Sequence, residues 1–176
     1  MYLFETPRLL GRQLTREDLP ALGTMLSDPE VMRFSVGGVC DEHATRRFFN
    51  ACLDCYAAHG MGPWALVDKA SKAFVGFCGV SPEQVGDVQE LNLGYRLARR
   101  FWNQGLATEA VKGVLAHVFS RRQLASVVVI IEPAHSASLK VAQKAGFKDF
   151  QVLDFHDRPV RLYRMNRSEA NLADLT

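Results

Sequence analysis

Residues 91–119 read LNLGYRLARRFWNQGLATEAVKGVLAHVF, and the rest of the chain is organised around this stretch. Residues 91–97 have the pattern of a strand, and residues 99–104 are predicted to form a loop. From Gly105 to Phe119 the apolar residues recur every three or four positions, which predicts an amphipathic helix. A strand, a short loop and a helix N-terminus present free backbone N–H groups with partial positive charge, so this arrangement is suited to binding an anion.

Side chains around the start of this helix favour the same interpretation. Gly105 has no side chain where a ligand would approach, and Arg99 and Arg100 raise the local positive potential. Thr108 adds one hydroxyl donor in the first turn. A plain β-α connection with a surface arginine pair explains these residues equally well, so they do not decide the function by themselves.

The remainder of the chain has no internal repeat or low-complexity segment, which indicates a single domain over residues 1–176. An apolar, mainly β-branched run at residues 124–131 follows the helix, so a right-handed β-α-β crossover is expected. The predicted class is α+β, with a mixed α/β sheet of about six or seven mostly antiparallel strands, a central parallel β-α-β crossover and four helices. The polar tail from about residue 168 is expected to fray. Strands are predicted at residues 6–15, 64–67, 73–80, 91–97, 124–131, 147–155 and 160–165, and a turn at 81–87. Helices are predicted at 42–59, 105–119 and 136–145, and a short one with the apolar face Leu19, Leu22 and Leu26 after a capping-box-like start at Thr15 and Asp18.

Composition and charge exclude several classes of protein. Lys and Arg number 21 and Asp and Glu 19, a balance too neutral for a general nucleic-acid-binding protein. No apolar run approaches the roughly 18 residues that a membrane-spanning helix needs. The apolar N-terminus runs directly into Glu5 and Pro7, which argues against a signal peptide, so we expect a cytoplasmic location.

The four cysteines, Cys40, Cys52, Cys55 and Cys78, are too few for a disulfide scaffold. Cys52 and Cys55 lie on the same face of a predicted helix as His59, so a zinc site can be considered. Two thiolates and one imidazole leave such a site short of its fourth ligand. We therefore predict no metal and interpret these cysteines as small packing residues.

Residues 94–110, GYRLARRFWNQGLATEA, resemble the acetyl-CoA-binding motif of the GNAT N-acetyltransferases. In that family a Q/R-x-x-G-x-G/A segment wraps the pyrophosphate of CoA, and residues 100–105 fall on it. Asn103 stands where the family usually has Gly, and Asn tolerates positive φ better than most residues. The segments ETPRLLGRQLTREDLPAL and SDPEVMRF resemble the branch that contains the N-terminal acetyltransferases of ribosomal proteins and many small-molecule acetyltransferases.

A second segment, EPAHSASLKVAQKAGF at residues 132–147, resembles the other signature of the family. Ser138, Lys144, Gly146 and Phe147 match it, and His135 stands where Asn is usual. In the family this helix packs along the pantetheine arm. The resemblance covers nearly the whole chain in the right order.

The resemblance implies transfer of an acetyl group from acetyl-CoA to a primary amine, by direct attack in a ternary complex. It also implies that backbone N–H groups near Leu93 and Tyr95 stabilise the carbonyl oxygen as it gains charge, with a bulge at Gly94. The residues implied to bind acetyl-CoA are Leu93, Tyr95, Arg100, Phe101, Trp102, Asn103, Gln104, Gly105, Thr108, His135 and Ser138.

The general base is the open point of the chemistry. Asn92 occupies the position where this branch often carries Glu, and an amide cannot accept the proton. Glu90 lies on the same strand face and is the first candidate, and His135 is the second. A water chain without a single base is an equal alternative to Glu90. Ser138 is the candidate donor to the departing thiolate, because the position that often carries a tyrosine is Ala142.

The acceptor pocket is expected to be built by residues 34–41 and 154–158. Asp41, Asp154 and Asp157 are suited to a cationic amine, although solvation explains them equally well. The acceptor is a small-molecule amine or a protein N-terminus, and the chain is a monomer or a homodimer.

Two other functions are weighed against this one. A non-catalytic acetyl-CoA-binding module would explain the Asn92, Asn103 and His135 departures. A nucleotide-binding β-α-β domain is favoured least, because no G-K-[ST] follows Gly105.

Overall fold

The computed structural model describes residues 1–176, which form one eight-stranded sheet and four α-helices. The strand order is β1-β2-β3-β4-β5-β6-β8-β7. The strands are β1 (Phe4–Glu5), β2 (Leu9–Arg12), β3 (Pro63–Asp68), β4 (Phe74–Val85), β5 (Val88–Leu97), β6 (Ser126–Ile131), β7 (Phe150–Phe155) and β8 (Arg158–Asn166), and the helices are α1 (Leu19–Leu26), α2 (Glu42–His59), α3 (Leu106–Ser120) and α4 (Ser136–Ala145).

The predicted class is confirmed, with one strand more than the upper expectation. The additional strand, β1, has two residues and pairs with β2 through Phe4↔Gly11, and it is too short to leave a periodic pattern. All strand pairs are antiparallel except β5 with β6, which α3 connects as predicted. None of the helices combines the length and the apolar character that a membrane-spanning segment needs.

Helix ends follow the capping residues in the sequence. Asp41 Oδ1 accepts a hydrogen bond of 2.7 Å from the backbone N–H of Ala44 at the start of α2. Gly60 ends the same helix in the left-handed conformation, with φ of 64°, and Gly146 ends α4 with φ of 106°. The predicted bounds of these two helices are therefore confirmed.

The turn predicted at residues 81–87 is wrong for most of its length. The β4–β5 ladder continues from Ser81↔Asn92 to Val85↔Val88, and only Gly86 and Asp87 connect the two strands. Side chains in this part of the ladder are half-buried or exposed, so it lacks the apolar alternation of a core strand.

The sheet opens between β5 and β6. These two strands share a single pair, Asn92↔Val128, whereas β5 is paired with β4 along its whole length and β6 with β8. The bulge expected at Gly94 is not present, because the β4–β5 register runs through that residue without a shift. The opening comes instead from the divergence of β5 from β6 beyond their one pair.

The two faces of β5 meet different parts of the chain, because side chains alternate along a strand. Tyr95 contacts Ser138 of α4, whereas Arg96 contacts Val31 in the segment between α1 and α2. Odd-numbered residues of β5 therefore face α4, and even-numbered residues face the segment that follows α1.

The tail expected to fray is held at its end. Residues Leu172–Leu175 form a 3-10 helix that lies against α3. Leu175 is 5% exposed and belongs to the hydrophobic core, so one apolar side chain anchors an otherwise polar segment.

Candidate active site

The opening between β5 and β6 contains a cavity of about 420 Å³, called here the inner cavity. Residues 92–96 of β5 and 129–131 of β6 form two of its walls, and Ser138, Val141 and Ala142 of α4 contribute a third. The two segments predicted to build an acceptor pocket both reach it. Phe34 and Val36 come from the first, and Phe155 and Arg158 from the second.

Backbone groups of β5 face this cavity because of the hydrogen-bonding alternation in an antiparallel ladder. The N–H of Ala98 donates to the carbonyl of Val75 on β4 at 2.9 Å. Hydrogen bonding to β4 alternates along β5, so Arg96, Gly94 and Asn92 direct their peptide groups toward β4 as well. Leu93 and Tyr95, which lie between them, direct their peptide groups away from β4. Leu93 adjoins the one pair with β6, Asn92↔Val128, and beyond it β5 has no partner on that side, which leaves the Tyr95 N–H facing the opening.

Three side chains form a chain of hydrogen bonds beside that backbone. Tyr95 Oη lies 2.9 Å from Ser138 Oγ, and Ser138 Oγ lies 3.2 Å from His135 Nε2. Ser138 is buried, and burial raises the pKa of Tyr95 to about 12 even though the Ser138 hydrogen bond opposes it. Tyr95 therefore keeps its proton at any physiological pH.

His135 is held in place by an aromatic stack. Its ring lies 4.1 Å from the ring of Phe34, centroid to centroid, at an interplanar angle of 11°. Burial lowers the pKa of His135, and the positive charges of Arg96 and Arg33 lower it further against the opposing charge of Glu132. His135 is therefore neutral at neutral pH and able to accept a proton.

Glu90, the first candidate for the base, is engaged elsewhere. Arg164 donates to both of its carboxylate oxygens, with Nη2–Oε1 at 2.5 Å and Nη1–Oε2 at 3.0 Å. Glu90 does not line the inner cavity, whereas its cross-strand neighbour Glu83 does. Sequence reasoning missed Glu83 because it placed residue 83 in a turn. A hairpin signal, Gly86-Asp87 between flanking valines, was available to find it.

Asn92 presents an unused acceptor at the cavity wall. Its Oδ1 atom is buried and receives no hydrogen bond, although buried acceptors in proteins are usually bonded. Two residues further along the same face, Gly94 leaves the wall open, since a Cβ built there meets no atom within 4 Å. This part of the wall therefore offers room to a ligand at Gly94, beside a buried acceptor that has no partner within the protein.

A second cavity of about 500 Å³, called here the outer cavity, surrounds the loop before α3. Asn103 has φ of 59° and Gly105 φ of 77°, so the substitution of Asn for the usual Gly keeps the left-handed backbone. Gly105 is the N-cap of α3 and provides no side-chain cap, which leaves the first N–H groups of the helix without a side-chain acceptor.

The residues predicted to bind the cofactor are only partly assembled around the outer cavity. Arg100 and Gln104 do not line it, because the Arg100 guanidinium lies over the Phe101 ring at 4.7 Å and Gln104 Nε2 donates to the Arg100 carbonyl at 2.9 Å. Sequence reasoning missed Lys140, which joins Lys144 of α4 at its wall. The predicted residues that do line it are Tyr95, Phe101, Trp102, Asn103, Gly105, Thr108 and His135, whereas Leu93 and Ser138 line the inner cavity.

The two cavities are neighbours with a common wall. Both are lined by Phe34, Tyr95, Arg96, His135 and Val141. A long ligand that enters at the loop before α3 therefore reaches the opened edge of β5.

The carboxylates expected to attract a cationic amine lie away from the inner cavity. Asp41 caps α2, and Asp154 and Asp157 are exposed and do not line the cavity. Arg96 and Arg158 do line it, and Arg158 is bonded to Glu132 at 2.8 Å. The expectation of an acidic acceptor pocket is therefore wrong for these three residues.

Comparisons with known proteins identify the family of the chain. The profile of the acetyltransferase (GNAT) domain matches residues 8–148. The uncharacterized protein YkkB of Bacillus subtilis (strain 168) is 30% identical over 148 residues, which cover 84% of this chain and 86% of that protein.

Solved structures share the fold at lower sequence identity. A GNAT-family acetyltransferase from Bacillus anthracis superposes with a TM-score of 0.79 at 22% identity, covering 96% of this chain and 100% of the other. Spermidine N-acetyltransferase from Vibrio cholerae, in complex with CoA and spermine, gives a TM-score of 0.73 at 15% identity, covering 92% and 96%.

Proposed function

This chain belongs to the GNAT family of acetyltransferases, and from that premise we propose that it transfers an acetyl group from acetyl-CoA to a primary amine by direct attack in a ternary complex. The observation that supports the proposal most directly is the meeting of Tyr95, Ser138 and His135 where β5 has no pairing with β6.

The outer cavity fits the CoA part of the co-substrate. The first turn of α3 offers unbonded N–H groups and the positive end of the helix dipole to a pyrophosphate. Lys140 and Lys144 add positive charge on the facing helix. The pantetheine arm then runs along α4 toward the edge of β5, where peptide groups beyond Asn92↔Val128 have no partner on β6.

The Tyr95 N–H is the proposed donor to the thioester oxygen. A fixed backbone dipole stabilises the negative charge that grows on that oxygen as the amine attacks. On the even-numbered face of β5, Asn92 lines the cavity, and a turn of its side chain would let the unbonded Oδ1 accept one N–H of the amine and orient its lone pair toward the carbonyl carbon.

His135 is the proposed base, in preference to Glu90. A neutral imidazole at the junction of the two cavities can take the proton that the amine loses, whereas Glu90 is bound by Arg164 outside the cavity. Glu83 also lines the cavity, but it lies opposite Glu90 in the sheet. Glu90 is four residues along β5 from Gly94, so His135 is preferred to Glu83 as well.

Ser138 links the base to the leaving group. The amine nitrogen forms a bond to the carbonyl carbon, the C–S bond breaks, and the amine proton passes to His135. The imidazolium returns a proton through Ser138 Oγ to the CoA thiolate, which yields free CoA and the amide. This transfer is downhill, because an imidazolium with a pKa below about 6.5 is a stronger acid than a thiol with a pKa of about 8.5. Tyr95 holds the Ser138 oxygen in position.

Initial rates test this mechanism against its alternatives. Thiol release and acetylated product are measured while acetyl-CoA and acceptor concentrations vary together. Direct transfer predicts intersecting reciprocal lines, and parallel lines would indicate an acetyl-enzyme instead. Binding of acetyl-CoA without turnover of any amine in a broad panel would indicate a non-catalytic module.

A further inference from the structure

Arg96 is a half-buried cation without a carboxylate partner, at the junction of the two cavities. Two arginines in and near the inner cavity are paired with carboxylates, and Arg33 of the outer cavity lies over the Phe34 ring at 5.3 Å. Arg158 is bonded to Glu132 at 2.8 Å, and Arg164 to Glu90 at 2.5 Å. No carboxylate lies within 4.0 Å of Arg96, so its charge acts on the cavities.

Most hydrogen-bonding capacity of Arg96 is unused within the protein. A guanidinium has five N–H donors, and the one protein acceptor in reach is the carbonyl of Val31, 3.3 Å from Nη1. Burial lowers the pKa of Arg96, which reflects the cost of holding a charge away from water. The donors that Val31 does not engage have no protein acceptor, so a ligand is their natural partner.

Arg96 closes one end of a trough along the even-numbered face of β5. Asn92, with its unbonded Oδ1, lies at the other end, and Gly94 leaves the middle open. Asn92 and Arg96 are four residues apart, so their Cα atoms are separated by roughly 13 Å. The distance between their polar groups is shorter, because the arginine side chain is long. Glu83 lies opposite Glu90, beyond the Asn92 end, and cannot neutralise Arg96.

We propose that Arg96 receives an anionic group of the acceptor, so that this enzyme acetylates a small amine that also carries a carboxylate or a phosphate. The inference rests on the proposed function and adds the class of substrate to it. Guanidinium binds both anions through paired N–H donors. An inner cavity of about 420 Å³, which the acetyl end of the co-substrate also enters, suits a small molecule.

The same charge disfavours polycations. A second ammonium on the acceptor would lie toward the guanidinium, and no carboxylate lies within 4.0 Å of Arg96 to compensate for the repulsion. Acceptors such as spermine, which the structure from Vibrio cholerae contains, are therefore expected to be poor substrates here.

Matched acceptor pairs test the proposal. The value of kcat/KM is measured by thiol release for α-, β- and γ-amino acids and for the primary amide of each, with phosphoethanolamine and spermidine as further arms. The amide form has a less basic amine, so intrinsic reactivity favours it. We expect the acid to exceed its amide by roughly 10- to 100-fold at the preferred chain length. The phosphoethanolamine arm shows whether phosphate replaces carboxylate.

Variants at position 96 identify the receptor. Arg96→Gln should remove the preference for acids, Arg96→Lys should keep part of it, and Arg96→Glu should shift the preference toward diamines. The KM for acetyl-CoA should stay within about twofold, and thermal melts establish that each variant is folded. Arg47→Gln, which removes an exposed and unpaired arginine on α2, is the control for net charge.

The possible failures are distinguishable. Equal or faster turnover of amides by the wild-type enzyme overturns the anionic acceptor and leaves acetyl transfer standing. A large rise in the KM for acetyl-CoA in Arg96→Gln, with an unchanged ratio of acid to amide, assigns Arg96 to the cofactor and overturns the proposal. Bound acetyl-CoA without turnover of any amine overturns the proposed function itself.

Discussion

His135 combines a lowered pKa with a position at the junction of the two cavities, and this combination makes a specific pH prediction. Both the imidazole and the acceptor amine must be unprotonated, so two protons are lost before reaction. The logarithm of kcat/KM should rise with pH at a slope of about two in the acid range and about one above the imidazole pKa, which lies below about 6.5.

His135→Gln provides the comparison. We expect a loss of roughly 10²- to 10⁴-fold in kcat/KM and a slope of about one throughout the acid range, because only the amine still titrates. A variant that keeps the slope of two would assign the second proton to another group. Glu83→Gln is the companion variant that identifies a carboxylate base.

Ser138 and Tyr95 are expected to act as one unit. Ser138→Ala interrupts the path from His135 to the thiolate, so kcat should fall by roughly 10- to 100-fold. Tyr95→Phe removes only the group that positions the serine oxygen at 2.9 Å, and its effect should be smaller. In the double variant the losses should be well short of additive, since residues of one hydrogen-bond network couple. Additive losses would indicate that the two hydroxyls act independently.

Residue roles were predictable from the sequence only where the chemistry is local. Asn103 was expected to keep a left-handed loop, and its φ of 59° agrees. Glu90 was ranked first by strand alternation alone. Its partner Arg164 lies 74 positions away on β8, and nothing local predicts which long-range cation occupies a carboxylate.

At the scale of the element, the N-terminus of α3 can be tested without disturbing the helix. Thr108 is the third helical residue and lines the outer cavity. An aspartate there interacts favourably with the helix dipole, but it places a negative charge beside the proposed pyrophosphate site. Thr108→Asp should therefore maintain or raise the melting temperature while the Kd for acetyl-CoA rises by about 10-fold or more.

The neutral isostere Thr108→Asn is the matched control. It should change the Kd by less than about threefold, because the shape is similar and the charge is absent. Isothermal titration gives both constants. Equal affinities for the Asp and Asn variants would place the pyrophosphate away from this turn.

Elements were predictable to the extent that their ends carry local signals. Asp41, Gly60 and Gly146 specified the ends of α2 and α4 through capping and left-handed backbone. The extension of β4 to Val85 and the opening between β5 and β6 depend on pairing between distant segments. Composition within a window carries little of that information, so the cavity could not be placed, and the Gly86-Asp87 turn signal was the one local pointer to Glu83.

At the scale of the whole molecule, acetyl-CoA should stabilise the fold. A ligand at about 100 times its Kd adds roughly 2.7 kcal/mol to the free energy of unfolding, which corresponds to about 5–10 °C in Tm for a domain of this size. Thermal melts with acetyl-CoA and with ATP as the control measure this shift. An equal shift with ATP would favour the nucleotide-binding alternative.

Histidines also link global stability to pH. Burial lowers the pKa of both His117 and His135, so the unfolded chain binds more protons than the folded protein below about pH 6.5. The free energy of unfolding contributed by these groups should therefore decrease as pH falls through that value. Urea titrations between pH 8 and pH 5.5 test the sign, and His117→Gln should reduce the slope with pH. A slope that the variant leaves unchanged would assign the effect to other groups.

The single pair between β5 and β6 divides the backbone of this protein into two leaves, one running from β1 to β5 and the other formed by β6, β8 and β7. Amide groups of a pantetheine chain lying in the gap have the donors and acceptors that a missing strand would supply. The bound co-substrate would then connect the two parts of the sheet through hydrogen bonds. Its departure after each turnover would leave the edges of β5 and β6 without partners again. Slow amide exchange at Tyr95 only while CoA is bound would be the signature of such a ligand-completed sheet.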